Sequence, residues 1–180
     1  PCKVDAGSCF HNDGIVVLES GGSKRLADVE VGDRIKTVVN HLGLYQSNFS
    51  FSDVILVLKE PDSEKTKNIV KLTTASGRSI MMTPNHLIPT CTSTELSTAL
   101  ELAVGDCVFT TDGIETIVKV ETAKFTGVRS VVTSHSFIVV DGFVASPFAR
   151  VAQNSKFDAT RRLSAVSDRK LRGLANTNSR

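Results

Sequence analysis

Apolar and polar positions alternate along this chain over short stretches rather than recurring at helical spacing. Ile15–Glu19, Asp33–Val39, Asp53–Lys59, Ile69–Thr74, Ile80–Thr83, Cys107–Thr110, Thr116–Val120, Ser130–Thr133 and Phe137–Val140 are rich in Val, Ile, Thr and Phe. Those branched or flat side chains fit a pleated surface. Asn12-Asp13-Gly14, Ser20-Gly21-Gly22, Pro61-Asp62-Ser63, Asp112-Gly113 and Asp141-Gly142 punctuate them with the residues that turn a chain. The pattern predicts strands and tight turns through residue 150, an all-β fold. Only Thr94–Val104 and the C-terminal stretch have a composition suited to helix. From about Phe148 the texture becomes polar and basic, and Leu163, Val166, Leu171 and Leu174 form a partial helical stripe. Residues 151–180 are therefore expected to be a short helical tail, docked on the body or frayed.

A weak internal repeat refines the picture. Leu26-Ala27-Asp28-Val29-Glu30-Val31-Gly32-Asp33 recurs as Leu100-Glu101-Leu102-Ala103-Val104-Gly105-Asp106, with a strand after each copy. Apolar positions match as well as the Gly-Asp, which points to two similar β subdomains related by pseudosymmetry rather than to a turn used twice by chance.

Composition sets bounds on function. At 180 residues, 41% hydrophobic and 22% charged, the chain suits one domain with an appendage and can bury a core without staples. Nine Phe, one Tyr and no Trp argue against a base-stacking platform, so no nucleic-acid partner is expected. The net charge of +2 divides unevenly. Seven Lys or Arg against Asp158 and Asp168 give residues 151–180 a charge of +5, leaving −3 on the first 150 residues. Such a tail is usually solvated, and it is the candidate contact for a membrane surface. No apolar run has the length of a membrane span. Pro1 is no natural translation start, so the sequence reads as part of a longer chain. Cys2, Cys9, Cys91 and Cys107 are too few and scattered to announce a disulfide framework. Asn48-Phe49-Ser50 is a glycosylation sequon compatible with a secretory route.

The candidate chemistry centres on Cys9. A small cysteine is by itself more often a core residue than a nucleophile. Here small residues precede it, a turn and strand follow it, and Thr83-Pro84-Asn85-His86 lies downstream. A cysteine that attacks the preceding carbonyl, that of Ser8, exchanges a peptide bond for a thioester. This requires a thiolate and a proton donor for the departing nitrogen. Histidine suits the donor role because its charge changes near neutral pH, and a hydroxyl three residues earlier can hold the same amide.

Taken together the blocks are specific. Ser8-Cys9-Phe10, Val17 through Lys24, Asp28-Val29 and Val31-Gly32-Asp33-Arg34-Ile35 resemble the opening of Hedgehog carboxy-terminal processing domains. Ser52-Asp53-Val54-Ile55 resembles their aspartate block, Thr83-Pro84-Asn85-His86-Leu87 the Thr-x-x-His block shared with inteins, and Val139 through Ser146 the closing strand pair. The resemblance runs in order from about residue 7 to 150. It implies a compact, pseudo-two-fold Hint (Hedgehog/intein) fold over residues 9–150, with residues 1–8 the end of an upstream segment. It implies that Cys9 is the nucleophile and that His86 and Thr83 assist the nitrogen-to-sulfur acyl shift. Asp53 is implied to activate the hydroxyl of an incoming sterol, which would be a co-substrate; no resident cofactor or metal is expected. The substrate is the chain's own upstream polypeptide, and the domain is expected to act as a secreted or secretory-pathway monomer.

Three departures carry meaning. Ser8 stands where Hedgehog proteins have Gly, and Pro147 where they have a second cysteine. Ala145-Ser146 replace the His-Asn ending of inteins, so cleavage rather than splicing is expected. The residues leave two other classes open: a secreted binding module with Cys2–Cys9 and Cys91–Cys107 disulfides, and a cysteine hydrolase acting on other molecules.

Overall fold

The computed structural model describes residues 9–39, 49–59 and 66–150. The tail, the upstream residues through Ser8, and Asn48 of the sequon lie outside them. Fourteen strands are present among the described residues: β1 (Phe10–His11), β2 (Ile15–Val17), β3 (Ser23–Arg25), β4 (Arg34–Val38), β5 (Phe49–Lys59), β6 (Lys67–Thr74), β7 (Ser79–Met82), β8 (Leu87–Ile88), β9 (Ser97–Thr98), β10 (Cys107–Thr110), β11 (Gly113–Phe125), β12 (Val128–Thr133), β13 (Phe137–Val140) and β14 (Phe143–Ala145). Ten close into an antiparallel barrel in the order β1-β12-β5-β4-β13-β14-β10-β11-β6-β7, with β7 returning to β1. Closure leaves the barrel no open edge. Phe10, Ile35, Leu72, Ile80, Ile138 and Phe143 fill its centre, each side chain contributing about 1.5–3 kcal/mol by leaving water.

The repeat is a real pseudo-two-fold. Read around the barrel, β4 exchanges with β10, β5 with β11, β12 with β6, β13 with β14 and β1 with β7. Each half carries a 3₁₀ turn, Leu26–Asp28 in one and Ala99–Glu101 in the other. The carboxylate of Asp33 accepts the Glu30 N–H and that of Asp106 accepts the Ala103 N–H, both at 2.8 Å. Gly32 and Gly105 sit at φ 96° and 98°, a left-handed geometry that favours glycine. The Gly32 N–H donates to Val54 O and the Gly105 N–H to Ile117 O, each at 2.9 Å. One residue further on, the register slips in both halves, so that Ile55 is extra on β5 and Val118 extra on β11. Both bulged side chains face solvent.

Two expectations need correction. Thr94–Val104 forms no α-helix; it contains β9 and the second 3₁₀ turn. Helix-forming composition loses there because Ala99 and Leu102 bury against the core and the Ala99 N–H is taken by His86 O. The cysteines also depart from expectation, because Cys91 and Cys107 form a disulfide with Cα atoms 5.6 Å apart. Of the other pairing considered, Cys2 lies outside the described residues, and Cys9 keeps its thiol.

Candidate active site

Cys9 precedes β1, whose Phe10 pairs with both Arg129 of β12 and Met82 of β7. The same ladder continues one step into the site. The Thr83 N–H donates to Cys9 O at 2.9 Å, while the Cys9 N–H donates to Thr83 Oγ1 at 3.1 Å. The amide nitrogen shared by Ser8 and Cys9 is thus held by the hydroxyl proposed for it from the sequence.

Thr83 through His86 make a β-turn closed by the His86 N–H on Thr83 O at 3.0 Å. Pro84 occupies the second position, where its fixed φ suits such turns. Turn closure brings the first and fourth residues together, which is why a Thr and a His three apart can serve one site. His86 is wholly buried and its ring lies 4.0 Å from that of Phe10. Its Nε2–H donates to Ser146 O at 2.7 Å; a carbonyl only accepts, so the proton is on Nε2. That leaves Nδ1 as a bare lone pair, buried and without a hydrogen-bond partner among the described residues. Burial holds the imidazole pKa down to about 4, the Ser146 hydrogen bond opposing this in part. His86 is therefore neutral at pH 7 and can take a proton before it gives one.

The far end of the domain meets the near end here. The Ser146 N–H donates to Leu87 O, the Leu87 N–H to Phe148 O and the Arg150 N–H to Asn85 O, which lays residues 146–150 along the turn that presents His86. Cys9 itself is 1% exposed. It packs with Ile69, Val128, Met81 and Phe125, and its Sγ lies 3.5 Å from Ser130 Oγ.

Cys9, Thr83 and His86 are thus gathered at one place, and Asp53 is not. Asp53 pairs with Arg34 on the neighbouring strand. Its carboxylate is 57% exposed and receives Arg34 at 3.1 Å, beside the Arg34–Glu19 ion pair. The strand position level with Ser130 is Leu58, five residues further along β5. Ser146 closes the last of the sequence blocks, though its carbonyl's hold on His86 shows only in the fold, whereas Ser130 lies outside every block and reaches the site through a pairing distant in sequence. Among the described residues no His, Cys, Asp and Glu cluster could hold a metal ion, and no helix is long and apolar enough to cross a membrane.

A closed pseudo-two-fold barrel whose two ends meet at a buried cysteine, threonine and histidine is the architecture of self-processing domains. A DnaB intein from Synechocystis shares it at TM-score 0.64 and 18% identity, covering 80% of this chain and 99% of that one. A bacterial intein-like domain from Clostridium thermocellum does so at TM-score 0.59 and 15% identity, covering 77% of this chain and 97% of that one. The chain belongs to the Hint module family, whose model matches residues 2–174. Warthog protein 6 of Caenorhabditis elegans is 30% identical over 173 residues, 88% of this chain and 28% of that protein. Protein hedgehog of Drosophila virilis is 28% identical over 158 residues, 82% of this chain and 31% of that protein. The chain thus spans about a third of the length of these curated relatives.

Proposed function

We propose that the domain cleaves its own chain at the Ser8–Cys9 bond through a thioester. Cys9 Sγ attacks the Ser8 carbonyl carbon; a carbon–sulfur bond forms, the carbon–nitrogen bond breaks, and the Cys9 nitrogen becomes an amine. His86 Nδ1 accepts the thiol proton and delivers it to that nitrogen, which Thr83 Oγ1 holds in place. The observation that carries this reading is the reciprocal pair of hydrogen bonds between Cys9 and Thr83, which fixes the amide that must break. An outside nucleophile then takes the acyl group from sulfur and restores the thiol.

The acceptor implied by the Hedgehog resemblance is a sterol hydroxyl, with the basic tail as a contact for the sterol or the membrane that holds it. A second reading, hydrolysis by water, is favoured by the position of Asp53, since an alcohol needs a base beside the thioester and this carboxylate is engaged with Arg34 on the surface. We place the domain in the secretory pathway, acting as a monomer on its own upstream polypeptide. The Cys91–Cys107 disulfide supports that route, because disulfides persist in oxidising compartments.

Mass spectrometry of the intact chain with and without hydroxylamine tests the thioester. Release of residues 1–8 should accelerate in wild type and vanish in Cys9→Ala. Continued release from Cys9→Ala would sink the mechanism. Adding a sterol in detergent separates the acceptors: a sterol ester on the released fragment marks transfer, a free acid marks hydrolysis.

A further inference from the structure

The thioester reading leaves open how a buried sulfur becomes a nucleophile, and a residue outside the recognised blocks answers it. Ser130 lies on β12, on the strand beside β1, and is 4% exposed. Its hydroxyl is 3.5 Å from Cys9 Sγ and makes no other hydrogen bond among the described residues. Ile69, Val128, Met81 and Phe125 pack with Cys9, which is 1% exposed. A thiolate in such surroundings is costly unless a donor faces it. A thiol donates weakly and a thiolate only accepts, so on ionisation the Ser130 O–H must be the donor.

We propose that Ser130 holds the Cys9 sulfur in its ionised form and aims it, a role that rests on the thioester reading above. A hydrogen bond between two groups strengthens when one becomes charged, so the contact favours thiolate over thiol. It also restricts the Cys9 side chain, since the hydroxyl sits on a strand fixed on both sides by β1 and β5. The proton lost from sulfur goes to His86 Nδ1; Ser130 keeps its own throughout and forms no covalent bond.

The test compares Ser130→Val with Ser130→Thr, which have nearly the same shape and differ in the hydroxyl. Hydroxylamine-driven release of residues 1–8 is followed against pH, with ultraviolet absorbance of the thiolate titrated in parallel and Cys9→Ala as the blank. Ser130→Val should move the Cys9 midpoint up by about one unit, slowing release near pH 7 about tenfold. Its rate should rejoin that of wild type in alkali, and Ser130→Thr should keep the wild-type profile. Coincident midpoints for the Val and Thr variants, or a rate lowered by the same factor at every pH, would overturn the proposal. A wild-type chain that releases nothing would instead overturn the thioester reading, and the absorbance titration would still decide the part played by Ser130.

Discussion

His86 has two demands placed on it. In the proposed mechanism it moves a proton, and it also fills space, since it is wholly buried against Phe10 and tied to Ser146. Truncation to Ala therefore removes more than chemistry. His86→Ala should suppress release by about 10²–10⁴-fold and should also destabilise the fold by about 2–4 kcal/mol through the cavity it leaves. His86→Gln separates the two effects, keeping a donor for Ser146 while losing the proton shuttle. The same burial makes a pH prediction. An unfolded imidazole titrates near 6.5, whereas folding holds this one to about 4. Below 6.5 the unfolded chain binds a proton that the folded chain refuses, so this contribution is complete above that pH and is lost as pH falls to about 4. The loss amounts to roughly 3 kcal/mol. Urea midpoints across this range should fall less steeply for His86→Gln than for wild type. Asp53→Ala, by contrast, breaks an exposed ion pair and should change stability by less than about 1 kcal/mol, leaving thiol-driven release near wild type. The sequence made Cys9, Thr83 and His86 legible because each sits in a short local block. Ser130 carried no such mark, since its meaning lies in a partner 121 residues away.

At the scale of elements, the strands are readable where a short run of Val, Ile, Phe and Thr lies between turn signals. Cys107–Thr110 and Phe137–Val140 match β10 and β13 residue for residue. The expected strand Asp53–Lys59 is the second part of β5, where the bulge at Ile55 breaks the alternation. One extra residue exchanges the two faces of everything after it, so which β5 side chains point toward Cys9 could not be read from spacing. The two turn glycines offer a clean comparison. A Cβ at Gly32 or at Gly105 would meet nothing within 4 Å, so substitution costs only the left-handed backbone. Gly32→Ala and Gly105→Ala should each lower stability by about 1 kcal/mol or slightly more, and by equal amounts in thermal melts if the halves are equivalent. The Cys91–Cys107 disulfide spans 16 residues, for which loop closure predicts about 3 kcal/mol. The double Ala variant should melt earlier by roughly that amount while still releasing residues 1–8 with hydroxylamine.

Across the whole molecule, the barrel order ties together segments that are far apart in the chain. β1 closes against β12, the long β5 lies between β12 and β4, and the long β11 lies between β10 and β6. The pseudo-two-fold is legible from the repeated Gly-Asp with its matching apolar positions, but the order in which the strands of the two halves alternate around the barrel is set by long-range pairing and is not. Pairing of this kind is slow to form, because distant segments must meet before any contact rewards them. The consequence is one of timing. The carbonyl that orients His86 belongs to Ser146, and residues 146–150 brace the turn that presents it. A ribosome that has delivered Cys9, Thr83 and His86 has therefore not yet delivered a competent site. Under the proposed thioester mechanism the Ser8–Cys9 bond should therefore outlast synthesis until residues 146–150 have emerged and docked on the His86 turn, and should break only in chains made and folded through to that point.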